Sequence, residues 1–266
     1  MSDNVYPRII LGLDVSTACI GVCIIKDDGS DKPEILYLTH KTPKIPRKIN
    51  GFEALYMKKN VFEEEVLKDI ATAYTVTDVV IEEPLISSNN ANTVATLLRF
   101  NGMVAEAVCR ILGVIPNFIS SHDARLYSFP ELACARRVNM KGNPYDIRHV
   151  RSAIRKDDPV LFGAYPFDAD KKTIMMSMVD RMYSNGIEWA RKPNGEFRKE
   201  NYDACDSLVC ALAYMNVNHH GVEKVVYGSM GEKEQPDGSY VVKYTTHIWG
   251  REYFHEMTVP KAQPKK

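Results

Sequence analysis

The sequence of 266 residues has no apolar run approaching the ~20 residues that a membrane-spanning helix requires. Its first residues, Met1 to Arg8, also lack the apolar core of a signal peptide. No Cys-x-x-Cys pair occurs, and no two histidines have the spacing of zinc ligands. These absences argue against a membrane protein and a zinc site, and they predict a cytosolic protein.

The cysteines are consequently predicted to be reduced thiols that act as small core residues. Three of them, Cys109, Cys205 and Cys210, lie in apolar stretches with helical spacing. The others are Cys19, Cys23 and Cys134.

An excess of one charge is also missing, since 34 basic residues balance 34 acidic ones. Basic residues are nevertheless concentrated in two segments, 41–59 and 125–156. Such clusters suit a phosphate backbone, although solvated surface is an equally good interpretation of charge alone. We predict DNA contacts in the second segment, from Arg136, Arg137, Lys141, Arg148, Arg151 and Arg155.

The apolar pattern predicts an α/β protein with the element order βββ-α-β-α-β followed by helices. The predicted strands are 8–13, 19–26, 34–39, 78–81 and 114–119, and the predicted helices include 93–112, 172–183 and one opened by Asp203. This order favours a mixed sheet flanked by helices. We expect one domain over 1–220, with a basic insertion at 120–170, and a β-rich extension over 221–266 with a hairpin turn at 236–238.

Four carboxylates lie at the edges of these apolar elements. Asp14 closes the first strand and Glu82 closes the fourth, while Asp203 and Asp206 share one face of the last helix. If the first and fourth strands are neighbours, Asp14 and Glu82 lie side by side. Clustered carboxylates raise one another's pKa, and divalent cations such as Mg²⁺ relieve the repulsion.

Each acid also has a structural explanation. Asp14 could be a turn residue, Glu82 a surface acid, Asp203 an N-cap and Asp206 a first-turn acid favoured by the helix dipole. Their joint occurrence at element edges favours a metal site.

Three sequence motifs surround these acids: IILGLDVSTACIGVCII at 9–25, with Asp14 and Gly21; VVIEEPL at 79–85, with Glu82; and DACDSLVCALAY at 203–214. Together they resemble RuvC-type Holliday-junction resolvases, which have a ribonuclease-H-like fold. Two softer matches are the helix at 97–114 with its internal glycine and KTIMMSMVDRMY at 172–183, which begins with Lys172 at the family's basic position.

The resemblance implies an endonuclease that holds two Mg²⁺ ions, with Mn²⁺ as a substitute, on Asp14, Glu82, Asp203 and Asp206. Lys172 would lie near the cleaved phosphate, and the substrate would be branched DNA, most plainly a four-way junction. It also implies a homodimer through the helix from Thr93 to Leu112, with Gly102 allowing close approach; alternatively, Gly102 packs against its own sheet. Val15, Ser16 and Leu85 depart from common family residues, and 222–266 has no counterpart.

Other interpretations remain open at this point. GLDVSTACIGV resembles the phosphate-binding hairpin of sugar kinases and actin-like ATPases, although no later Gly-Gly adenosine motif follows. A non-catalytic DNA-binding descendant would be expected to lose acids from the cluster, and all four are present. A ribonuclease-H-like nuclease for another substrate class would use the same acids.

Overall fold

The protein is described here from a computed structural model, which defines residues 7–30, 32–84, 90–129, 171–184, 186–220, 226–234, 236, 240–248 and 251–259. Most of the chain before residue 221 is built around one five-stranded sheet. Its strands are β1 (Arg8–Val15), β2 (Ile20–Asp27), β3 (Glu34–Lys41), β4 (Asp78–Glu82) and β5 (Asn117–Ile119). None of the helices in the described ranges is long and apolar enough to cross a membrane.

The sheet is mixed, in the order β3-β2-β1-β4-β5. The first three strands form the expected antiparallel meander, and β1, β4 and β5 run parallel. β1 lies in the centre, where both of its faces are covered by helices. This placement explains its continuous apolar sequence, since a strand that is buried on both faces does not alternate with polar residues.

Helices α1 (Gly51–Phe62), α2 (Lys68–Ala73) and α3 (Ala91–Leu112) cover one face of the sheet, and a π-helical segment, Glu63–Leu67, joins the first two. They pack on Leu11 and Leu13 of β1. Helices α4 (Ser121–Ser128), α5 (Lys171–Met182) and α6 (Glu200–Asn218) cover the opposite face, which presents Ile10. Successive side chains of β1 therefore point alternately into the two hydrophobic cores, one on each face of the sheet.

Several element boundaries differ from the sequence-based expectation. The fifth strand is only three residues long, because the chain from α3 to Asn117 forms a connection. The last helix begins at Glu200 instead of at Asp203. Cys109 is exposed, so its predicted core role is wrong, whereas Cys19, Cys23, Cys205 and Cys210 are buried free thiols. Cys134 lies outside the described residues.

Beyond α6, three strands form a separate antiparallel sheet: β6 (Val226–Glu234), β7 (Tyr240–Ile248) and β8 (Arg251–Val259). The predicted hairpin is present as β6 and β7, with Glu234 opposite Tyr240. β8 adds a further strand on β7.

Candidate metal centre

Asp14 and Glu82 lie side by side at the carboxyl ends of neighbouring parallel strands. Leu13 of β1 is in register with Ile81 of β4, and each acid is the next residue along its strand. The hypothesis that the first and fourth strands are adjacent is therefore confirmed. The two carboxylates are brought together by the backbone pairing of the sheet itself.

Two glycines allow α6 to approach this edge of the sheet closely. A Cβ atom added to Gly21 would lie 1.9 Å from the Asp203 carbonyl oxygen, and one added to Gly12 would lie 2.2 Å from that of Ser207. Side chains at these positions would force the helix outward. The backbone of α6 consequently packs directly on β1 and β2. This close packing places Asp206 next to Asp14 and Glu82.

Asp14, Glu82 and Asp206 form a cluster that could hold a metal ion. One carboxylate oxygen from each lies within 4.8 Å of the others. Asp206 is buried, with only 4% of its surface exposed. We call these three residues the carboxylate cluster; their hard oxygen donors are of the kind preferred by Mg²⁺ and related cations.

The electrostatics show that these negative charges are costly when no cation compensates them. Burial and the nearby Glu82, Asp206 and Asp203 charges raise the pKa of Asp14 well above its usual value. Burial and Asp206 raise the pKa of Glu82 to about 7. Burial likewise raises the pKa of Asp206, against the opposing effect of Lys172. A bound cation would offset this repulsion.

Lys172 of α5 partly supplies such a positive charge. Its Nζ lies 3.2 Å from Asp206 Oδ2 and 3.9 Å from Asp203 Oδ1. Although burial opposes the charged form, Asp206, Asp14 and Asp203 raise the pKa of Lys172, so its ammonium stays protonated. The structure thus brings the Lys172 ammonium beside the carboxylate cluster.

Asp203 lies beside the carboxylate cluster but is not one of its three members. Because α6 begins at Glu200, Asp203 is within the first turn, and the N-cap explanation of this residue is wrong. Its neighbour is the buried thiol of Cys19: burial and the Asp203 carboxylate raise the pKa of Cys19 to about 12.

Arg125 is a residue of this site that the sequence interpretation did not assign to it. Its charge lowers the pKa of Glu82 and of Asp206, in opposition to burial. The residue lies on α4, immediately after β5, and β5 pairs with the end of β4 that carries Glu82. That order along the chain could have identified it. The six predicted DNA contacts between Arg136 and Arg155 lie outside the described residues.

The backbone that follows Asp14 is held by several hydrogen bonds. The Asn101 side-chain amide of α3 donates to the Val15 carbonyl at 3.3 Å. The Cys19 amide donates to Ser16 Oγ at 3.0 Å, which closes the turn into β2. Lys58 Nζ donates to the Thr17 carbonyl at 2.6 Å. Asp14 is therefore followed by a loop fixed from both α1 and α3.

Gly102 lies on the outer, exposed face of α3. A Cβ atom at this residue would meet nothing within 4 Å among the described residues, so the alternative that Gly102 packs against its own sheet is wrong. Leu98 and Cys109 lie on the same side of the helix, at helical spacing from Gly102. Of these, Leu98 has 46% of its surface exposed and Cys109 is also exposed.

Comparison with known proteins identifies the fold. No family model and no curated protein matches the sequence. The chain is similar to the structure of Thermus thermophilus RuvC in complex with a Holliday junction substrate, with a TM-score of 0.50, 14% identity, and coverage of 80% of this chain and 96% of that one. This likeness confirms the ribonuclease-H-like fold.

Two further structures were found. Another Thermus thermophilus RuvC structure has a TM-score of 0.44 at 16% identity, covering 78% of this chain and 93% of that one. The yeast mitochondrial Holliday junction resolvase has a TM-score of 0.47 at 11% identity, covering 80% of each chain.

Proposed function

We propose that this protein is a metal-dependent endonuclease that cleaves branched DNA, and that it resolves four-way junctions by paired symmetric nicks. The observation that carries the proposal is the carboxylate cluster. Asp14 and Glu82 lie at the carboxyl ends of β1 and β4, α6 contributes Asp206, and one carboxylate oxygen from each of the three lies within 4.8 Å of the others. The fold resembles that of a RuvC protein whose structure was solved in complex with a Holliday junction substrate, and this likeness supports a nuclease acting on branched DNA.

The chemistry of the donors fits Mg²⁺, with Mn²⁺ as a substitute. Asp14, Glu82 and Asp206 would hold the metal with Asp203 beside them, and we propose two ions for the four acids. When bound, such ions activate the attacking water and stabilise the leaving 3′ oxygen. The residues themselves supply a partly buried, negatively charged site whose elevated pKa values make proton release a part of metal binding.

Two cations of the chain would orient the phosphate. The Lys172 ammonium, which is 43% exposed in its side chain, lies 3.2 Å from Asp206 and can reach a phosphate oxygen at the cluster. Arg125 acts on Glu82 and Asp206 from α4, and its guanidinium can bind a phosphate oxygen through two N–H groups. We assign both to positioning the phosphodiester and stabilising the charge that develops on it.

Paired nicks require two sites at a fixed separation, which a two-fold dimer provides. We propose that the dimer forms through the outer face of α3, defined by the exposed residues Leu98, Gly102 and Cys109. The open space at Gly102 lets a second helix approach closely. Arg136, Arg137, Lys141, Arg148, Arg151 and Arg155 are proposed to contact the phosphates of the junction arms.

The test is cleavage of a synthetic four-way junction by substituted proteins. Asp14→Asn and Asp206→Asn should abolish cleavage while junction binding, measured by anisotropy in EDTA, stays within a few-fold of the wild type. Glu83→Gln is the matched control, because Glu83 is exposed and follows Glu82 directly. Retained cleavage by Asp14→Asn, or loss in Glu83→Gln alone, would overturn the assignment of the cluster.

A further inference from the structure

Exposed basic and aromatic side chains lie together on the segment that leads from β3 into α1. Phe52 is 65% exposed and Tyr56 is 50% exposed. They are four residues apart on α1 and so lie on one side of the helix. Lys44, Arg47 and Lys48, all exposed, precede them in the connecting loop. We call these five residues the basic–aromatic surface.

This surface is attached to the loop that follows Asp14. Lys58 of α1 donates to the Thr17 carbonyl at 2.6 Å. At the other end of the segment lies Thr42, which lowers the pKa of the Cys19 thiol, whereas burial and the Asp203 carboxylate raise it. Phe52 precedes Lys58 by six residues, or about 9 Å along a helix. The aromatic rings therefore lie on the same helix as the lysine that holds the loop after Asp14.

The charges of the surface are available for a ligand. Lys41 and Lys59, which flank it in sequence, are paired with Glu65 and Glu63. Among the described residues, no ion pair engages Lys44, Arg47 or Lys48. The Lys59 ammonium also lies 4.8 Å from the Tyr56 ring centroid, which helps to hold this ring in place.

We propose that the basic–aromatic surface binds unpaired nucleotides of the DNA substrate next to the cleaved phosphate. Exposed aromatic rings beside basic side chains fit a single strand, because every base has a face that stacks while the cations follow the backbone. A fully paired arm offers phosphates but no free base faces. This inference rests on the proposed nuclease function and adds to it the part of the junction that this surface recognises.

The experiment compares two four-way junctions in EDTA by fluorescence anisotropy, one fully paired and one with two unpaired thymidines at the crossover. Phe52→Leu/Tyr56→Leu keeps an apolar side chain but removes the stacking faces. Since one base–aromatic stack is worth about 5- to 150-fold in affinity, the double variant should lose at least about tenfold on the unpaired junction and less than about threefold on the paired one. Phe118→Leu is the matched control, since Phe118 is 48% exposed on β5 at the opposite edge of the sheet.

Two further measurements separate stacking from charge and from folding. Lys44→Gln/Arg47→Gln/Lys48→Gln should lower the slope of log K against log salt by ~0.7 for each lost contact to a single strand, or ~2 in all. A 5-iodouracil placed at the unpaired position should crosslink to Phe52 or Tyr56 on irradiation. The melting temperature of each variant identifies one that has simply unfolded, in which case the wild-type crosslink decides.

Equal affinities of wild type and Phe52→Leu/Tyr56→Leu for the unpaired junction, together with no crosslink to either ring, would overturn the inference while the nuclease proposal stands. A change in sedimentation of that variant, with unchanged DNA affinity, would overturn it in favour of a contact with a second copy of the chain. Failure of the wild type to bind any junction would remove both proposals.

Discussion

The carboxylate cluster should make the metal-free protein less stable as pH rises. The pKa of Glu82 is about 7 in the folded protein against an ordinary value of 4.5. Between these two values the folded state retains a proton that the unfolded state releases, so stability falls as pH rises from about 4.5 through about 7 and then levels off. At about 1.4 kcal/mol for each pH unit of difference, the pKa of Glu82, raised by burial and the neighbouring acids, corresponds to about 3 kcal/mol.

The substitution Glu82→Gln removes this penalty. At pH 8 in EDTA, the variant should unfold with a free energy up to about 3 kcal/mol higher than the wild type. At about 2–4 °C per kcal/mol for a domain of this size, its melting temperature should rise by several degrees. Near pH 4 the two proteins should be alike, because the glutamic acid is then uncharged. Mg²⁺ should stabilise the wild type by RT ln(1 + [Mg²⁺]/Kd) and the variant by much less.

The assay is thermal unfolding between pH 4 and pH 8, with and without Mg²⁺. Glu83→Gln is the control, since it removes the same charge from an exposed neighbour. The reasoning is refuted if metal-free Glu82→Gln is less stable than the wild type at pH 8. It is equally refuted if Glu83→Gln gives the same pH-dependent gain, because the cost would then arise from overall charge and not from the cluster.

Three other substitutions test separate parts of the structure. Gly21→Ala should destabilise the protein by about 1–3 kcal/mol or more and abolish cleavage, because its Cβ would lie 1.9 Å from the Asp203 carbonyl oxygen. A variant that is active and as stable as the wild type in thermal unfolding would contradict this packing. Lys172→Ala should slow junction cleavage more than it weakens binding. It should also move the acidic limb of the pH–rate profile to higher pH, because Lys172 lowers the pKa of Glu82 and Asp206. Equal losses in rate and binding would count against its role. Gly102→Leu should shift sedimentation from a dimer towards a 30.1 kDa monomer and reduce paired nicks before single nicks. Gly102→Ala should not lower the melting temperature of the monomer, because among the described residues nothing lies within 4 Å of its Cβ. A dimer unchanged by leucine would place the interface elsewhere.

Much of the site could be predicted from the sequence because its acids lie at the ends of apolar elements. Asp14 and Glu82 each close a buried run, and parallel pairing of those runs places both carboxylates at one edge. The start of α6 at Glu200 could not be predicted from the apolar pattern, because Glu200, Asn201 and Tyr202 interrupt the apolar periodicity. Asn201 is instead held by two hydrogen bonds between its side chain and the Ala190 backbone, a contact between segments that no local pattern reveals.

Charge was the least informative signal in the sequence. The basic segment at 41–59 divides in the structure into residues paired with glutamates, such as Lys59, and residues on the exposed loop, such as Arg47. Arg125 lies within a basic run, yet its effect falls on the carboxylate cluster, since α4 follows β5 directly. Which partner a cation finds depends on packing between distant elements, so the number of charges in a segment does not determine it.

Junction cleavage by the carboxylate cluster can be tested by incubating the purified protein with a labelled four-way junction and with a duplex of matched sequence, each with and without Mg²⁺. We expect paired nicks at symmetric positions in the junction, no cleavage without the metal, and little or none in the duplex. Cleavage of the junction in EDTA would contradict the role of the carboxylate cluster. Equal cleavage of duplex and junction would contradict the proposed substrate.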